Sequence, residues 1–143
     1  MRQALLLAEE AGKEGEIPVG AVIVKDGKII ATGRNRREKN KNALHHAELE
    51  AIDCACKALG SWRLNDCDLY VTLEPCPMCA GAIINARIKT VYFGAFDSKA
   101  GSFGSVEDFN RLSYNHKPEI LGGIMEMECG EILKSFFENL RNK

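Results

Sequence analysis

The chain contains no apolar run approaching the roughly 20 residues that a membrane-spanning helix requires. Its N-terminal stretch, Met1 to Gly12, lacks the basic start, apolar block and small-residue cleavage site of a secretory leader. These absences lead us to expect a cytoplasmic protein with no membrane partner. Positive charge is not in excess either: 19 Lys and Arg against 20 Asp and Glu leave a formal net charge of −1. A protein that coats nucleic acid by neutralising phosphates is usually clearly basic. That class is disfavoured, whereas an enzyme gripping one local piece of RNA is not. No linker, repeat or low-complexity tract interrupts the 143 residues. Residues 1–143 are therefore read as a single domain, long enough to bury its own core.

A disulfide framework is not expected of six cysteines in a cytosolic chain of this size. Cys54, Cys56, Cys67 and Cys129 stand singly in apolar or helical surroundings and read as small buried hydrophobes. Cys76 and Cys79 form a C-x-x-C pair, and there is no second such pair, which excludes a four-cysteine zinc ribbon.

The periodicities predict a helix over Arg2–Gly12 with Leu5, Leu6 and Ala8 on one face, closed by Gly12. Two β-branched runs, Val19–Lys25 and Lys28–Gly33, flank Asp26-Gly27, a strong hairpin signal. A second helix is expected over His46–Leu59, and Asp68–Leu73 alternates as a strand. Pro75 suits the first turn of a third helix reaching about Asn85. Strands at Thr90–Gly94 and Glu119–Leu121 precede a last helix over about Met125–Arg141, with Ile132, Leu133, Phe136, Phe137 and Leu140 as its buried stripe. A hairpin followed by alternating helices and strands implies an α/β sheet covered on both faces. Sites in such sheets form at the carboxyl ends of strands, and the cysteine pair lies at such a junction.

Pro75-Cys76-Pro77-Met78-Cys79 sets two thiols three apart in the first turn of a helix, so both sulfurs share a face. The positive end of the helix dipole favours their ligating thiolate forms. Upstream, His46-Ala47-Glu48 supplies a third ligand, His46. H-x-E followed by P-C-x-x-C points to zinc held by His46, Cys76 and Cys79. Three protein ligands leave a fourth position open, the mark of a catalytic zinc. Glu48 is then the proton shuttle, taking a proton from the attacking water and passing it to a ring nitrogen and then to the departing amine. His45 stands one place out of the pattern and reads as a flanking or substrate-side residue.

This signature resembles that of the zinc-dependent nucleoside and base deaminases. Over nearly its whole length the chain is similar to the bacterial tRNA adenosine deaminases. The likeness includes Glu16 to Val22, Gly60-Ser61-Trp62-Arg63-Leu64, Val71 to Ala82, Gly94 to Ser105, Asn115-His116 and Phe136-Phe137. The resemblance implies a cytidine deaminase-like fold: a three-layer α-β-α sandwich around a central five-stranded mixed sheet. It implies one zinc ion per subunit, a homodimer, and a tRNA anticodon loop as partner. The implied reaction is hydrolytic deamination of adenosine to inosine at the wobble position of an arginine tRNA, with zinc-activated water attacking C6 of adenine.

Carried across by motif, Asn35 contacts the flipped nucleoside, Asp97 and Lys99 lie against the RNA near the target, and Asn115 and His116 mark another RNA-side position. Two departures stand out. Ala43-Leu44-His45 occupies the place of the family's usual Pro-Thr-Ala, and Arg34 precedes Asn35 where an aromatic residue is common. The run Arg34 to Lys41 holds five basic residues and one acidic one; such a run is usually a solvated loop, and its place between a strand and His46 leaves open a second reading, a grip on phosphates flanking the target that Arg141 and Lys143 would extend. Three other readings stay open: a deaminase of free bases or nucleosides, a deaminase-like zinc module kept for binding, and a redox protein using Cys76 and Cys79.

Overall fold

The computed structural model describes residues 1–142; Lys143, counted above among the basic residues, lies outside the described part. The elements run α1 Arg2–Lys13, β1 Gly20–Lys25, β2 Lys28–Arg34, α2 Ala47–Leu59, β3 Cys67–Leu73, α3 Pro77–Ala86, β4 Thr90–Ala95, β5 Glu119–Leu121 and α4 Glu126–Arg141. One 3-10 turn, Phe109–Arg111, interrupts the long connection before β5. No helix among the described residues is long and apolar enough to cross a membrane.

The five strands form one mixed sheet in the order β2-β1-β3-β4-β5. The hairpin β1–β2 is antiparallel and closes at Asp26-Gly27, both with positive φ (51° and 76°), as its two-residue turn demands. β1 also runs antiparallel to β3, while β3, β4 and β5 are mutually parallel. Helices α1 and α4 cover one face of the sheet and α2 packs against the other, with α3 beside it. The three-layer architecture expected from the sequence is present.

The helices approach the hairpin through small residues. On α1 the buried positions are Ala4, Ala8 and Ala11, whereas Leu6 is 51% exposed and Leu5 only half-buried. Of the face expected from sequence, Ala8 is buried, whereas the two leucines give way to Ala4 and Ala11. The cause is Gly20: a Cβ there would collide with the Ala4 carbonyl, so helix and strand meet backbone to backbone. Gly33 on β2 does the same on the opposite face, where a Cβ would collide with the Ala47 carbonyl and the Ala51 amide of α2.

Three further expectations are corrected. α3 begins at Pro77 rather than Pro75, with Cys76 extended (φ −75°, ψ 174°) as its N-cap. The long α4 buries Cys129 fully against Gly94 of β4, but Phe137 (38% exposed) and Leu140 (57%) stay exposed, bordering a hollow shared with residues 15–17, 35, 37 and 38. Of the four single cysteines, Cys67 and Cys129 are buried, Cys56 is partly covered and Cys54 is exposed on the outer side of α2.

Candidate active site

Two junctions converge at the carboxyl end of β3. His46 is the N-cap of α2, with extended backbone (φ −84°, ψ 155°), so its ring projects beyond the helix end. Cys76 is the N-cap of α3 and Cys79 follows three residues later, the spacing that brings an N-cap side chain over the first turn. The His46 Nδ1 lies 3.6 Å from both the Cys76 and the Cys79 sulfur. All three candidate ligand atoms fall within 4.8 Å of one another.

That spacing can be tested against a metal. A tetrahedral zinc with Zn–S of about 2.3 Å and Zn–N of about 2.05 Å separates nitrogen from sulfur by roughly 3.6 Å. The donor set, two sulfurs and one imidazole, also suits zinc. The residues present therefore fit a zinc ion with one position left for a non-protein ligand.

The electrostatics agree with a cluster that shares protons where a cation would replace them. The Cys76 thiol is pulled down to about 4, first by its hydrogen bond with Cys79 and also by that with His46. Cys79 is pushed up, above all by that same bond with Cys76, and then by burial. His46 is raised chiefly by its hydrogen bond to Cys76. Glu48, 4% exposed in the first turn of α2, is pushed up to about 7, with burial as the leading cause. A carboxyl held there can both take and release a proton near neutrality.

These groups open on a cavity of about 210 Å³, lined by apolar surface from Ile17, Val19 and Leu73. Its polar groups come from four places: the His46–Glu48–Cys76 cluster, the segment after β2 (Asn35 and Arg37), the end of β3 (Glu74), and the loop after β4, where Asp97 lies beside Ala100. A mainly apolar hollow with a few converging polar groups is the usual form of a small-ligand site.

Asn35 is 8% exposed; its Nδ2 donates to the Ile17 carbonyl (3.2 Å) and its Oδ1 accepts from the Arg37 amide (3.1 Å). One N–H and one lone pair of the amide remain for a ligand. Asp97 borders the cavity, and its Oδ1 accepts from the amides of Lys99 (3.0 Å) and Ala100 (3.3 Å), which leaves Lys99 exposed on the rim.

Asn115 and His116 lie elsewhere. His116 Nε2 donates to the Ile88 carbonyl at 2.7 Å, just before β4 begins, and Asn115 is exposed beside it. The cavity opens at the other end of β4, whose six residues span roughly 17–20 Å. Within one protomer the two groups do not share a site.

Much of the basic run is tied down within the chain. Arg34 is paired with Glu10 and Glu14 of the α1 region, Lys39 with Glu14 at 2.9 Å, and Arg36 with Glu50 at 2.9 Å. Three of the five cations are thus paired across the fold, Arg34 and Lys39 with the acidic end of α1 and Arg36 with Glu50 of α2. Arg37, which borders the cavity and meets its neighbour Glu38 at 3.9 Å, keeps its charge turned to the opening.

Two acidic residues gained no role from the sequence, although both lie in segments quoted above. Glu16, 2% exposed, accepts the Glu38 amide (3.0 Å) and the Lys39 amide (2.7 Å) and so pins the basic loop. Glu74, also 2% exposed, does the like for the loop after β4. The only signal in the sequence is an acid bordering an apolar β-branched run, where a buried carboxylate must find donors.

A three-layer fold with this cluster at the carboxyl end of its central strands defines the cytidine deaminase-like class. The model of the MafB19-like deaminase family matches residues 1–141. The tRNA-specific adenosine deaminase of Bacillus subtilis (strain 168) is 49% identical over 144 aligned positions, covering 100% of this chain and 89% of that protein. A solved structure from studies of A-to-I editing by tRNA:A34 deaminases superposes with a TM-score of 0.91 at 46% identity, covering 93% of this chain and 97% of that one. A guanine deaminase structure from Bacillus subtilis is more distant, with a TM-score of 0.63 at 34% identity over 99% of this chain and 91% of the other. The chain belongs to the family of tRNA-specific adenosine deaminases and is an enzyme of the deaminase class.

Proposed function

We propose that this protein hydrolyses adenosine to inosine at the wobble position of a tRNA anticodon, with an arginine tRNA as substrate. The observation that carries the reading is the His46–Cys76–Cys79 cluster beside buried Glu48, in a chain about half identical to a named tRNA-specific adenosine deaminase. The Bacillus subtilis guanine deaminase structure has the weaker likeness on both measures, 34% against 46% identity and a TM-score of 0.63 against 0.91.

His46, Cys76 and Cys79 would hold the zinc. A zinc bound there supplies Lewis-acid activation, making water nucleophilic at neutral pH. Glu48 takes one proton from the water that adds to C6 of adenine and gives it to the ring nitrogen, then takes the proton of the hydroxyl now on C6 and passes it to the amine as ammonia leaves. Water and adenosine thus become inosine and ammonia. The free N–H and lone pair of Asn35 meet the flipped nucleoside, and Asp97 shapes the pocket mouth. Arg37 and Lys99 are placed for the flanking phosphates. Asn115 and His116 serve RNA only where a second subunit of the proposed homodimer, or a longer reach of the tRNA, comes to the far end of β4. The site of action is the cytoplasm.

Incubation of the protein with total tRNA, followed by sequencing of anticodons, should show adenosine read as inosine at the wobble position. Turnover of free guanine with unchanged tRNA would decide for the alternative. The metal assignment has its own check. Cys76→Ala removes one of three ligands and should lower zinc affinity at least about 100-fold, beyond the loss typical of groups that merely orient the ligands. Metal analysis after dialysis against a weak chelator reads this directly, and full occupancy would remove Cys76 from the site.

A further inference from the structure

Glu74 directly follows β3 and directly precedes the Pro75-Cys76 turn. Its carboxylate is buried, yet none of the ion pairs among the described residues includes it. Four neutral donors surround it instead. Oε1 accepts the Asp97 amide at 3.0 Å and the Ser105 hydroxyl, and Oε2 accepts the amides of Phe103 (3.2 Å) and Ser105 (3.1 Å). Every donor belongs to the single segment 97–105, which supplies Asp97 and Ala100 to the cavity.

Backbone bonds clamp the same segment to the same turn. The Ser102 amide donates to the Pro75 carbonyl (2.9 Å), and just ahead of the segment the Ala95 carbonyl at the end of β4 accepts the Glu74 amide (2.9 Å). Gly101 is pressed so closely on the Glu74 carboxyl that a Cβ there would collide with it. A buried carboxylate is costly unless donors converge on it, and here they do so from both ends of one loop.

We infer that Glu74 is a positioning residue: it ties segment 97–105 to the turn that carries Cys76 and so sets where Asp97 and Ala100 meet the substrate. The inference rests on the deaminase reading given above. Both oxygens of Glu74 are engaged by the loop, so it acts on the reaction through Asp97 and Ala100 rather than by contact with the reacting atoms.

Glu74→Gln keeps the shape but turns one acceptor oxygen into a donor, which leaves at least one buried N–H facing another. The zinc-loaded variant is compared with wild type in tRNA kinetics, metal content and residue-resolved amide exchange. The expected result is unchanged zinc content, exchange about tenfold faster at Asp97, Phe103 and Ser105, and KM for tRNA raised about tenfold with kcat within about threefold. A purely structural role would lower the melting temperature and the active fraction and leave KM where it was. KM within about twofold of wild type, at full zinc content, overturns the proposal.

Should Glu74→Gln fail to fold, Ser105→Ala removes one of the four donors, the hydroxyl, and leaves the Ser105 amide in place. It should raise KM about threefold and quicken exchange at Asp97; no change in either overturns the proposal. A wild-type protein that makes no inosine would refute the deaminase reading itself. The loop anchor is then judged by exchange alone, and unchanged exchange in Glu74→Gln overturns it.

Discussion

Glu48→Gln is expected to stop turnover while leaving the metal in place. The substitution preserves length and planarity at a position that is only 4% exposed, so α2 and the His46 ring it carries keep their places. It removes the carboxyl that the proposed mechanism uses to accept a proton from water and deliver it to the base. General acid–base groups contribute about 10²–10⁴-fold, and one that serves both proton removal and amine departure belongs near 10⁴. That factor corresponds to about 5.5 kcal/mol of barrier. Inosine formation under single-turnover conditions, with zinc content measured in parallel, checks the expectation. Activity within tenfold of wild type would sink the assigned role.

Gly33→Ala is expected to cost both stability and metal, although the glycine touches neither substrate nor zinc ligand. A methyl group at this position would meet backbone, the Ala47 carbonyl and the Ala51 amide, rather than a side chain that can swing away. Overpacking in a tight interior costs about 1–3 kcal/mol, and the upper end applies where backbone must move. For a chain of this size that corresponds to a fall in melting temperature of roughly 10 °C. The part of α2 that must yield is its first turn, which carries His46 and Glu48. Zinc retention should fall with stability. The matched control is Gly130→Ala in α4, where a Cβ meets nothing within 4 Å. There the better helix former should raise stability by about 0.5–1 kcal/mol. Thermal melts and metal analysis of the two variants decide the matter; equal behaviour would show that the contact at Gly33 is slack.

These glycines mark the boundary of what was legible beforehand. Element type was readable throughout, because the β-branched runs, the Asp26-Gly27 turn and the long polar-apolar helices each carry a local signal. The convergence of His46 with Cys76 and Cys79 was readable because N-cap positions and i, i+3 spacing are local rules. Three kinds of feature were not readable, and each depends on a partner distant in sequence. The buried face of α1 follows from Gly20, which no helical periodicity reports. The basic run after β2 looked available for phosphate, whereas Glu10, Glu14 and Glu50 fold onto it. Glu16 and Glu74 drew no role from the sequence and are buried acceptors for two different loops. Local chemistry was visible, and the choice of long-range partner was not.

The alanine stripes against Gly20 and Gly33 bear on how still the pocket is. A helix that packs through leucine or methionine loses side-chain freedom on folding and regains some of it by rotamer hopping. Alanine and glycine have no rotamers to lose, so ordering them carries no side-chain entropy penalty, where each leucine would cost about 0.5–1 kcal/mol. Ala47 and Ala51 of α2 face Gly33 in this way. The seam that holds the histidine-bearing end of the helix therefore has no side-chain torsion through which thermal motion could loosen it.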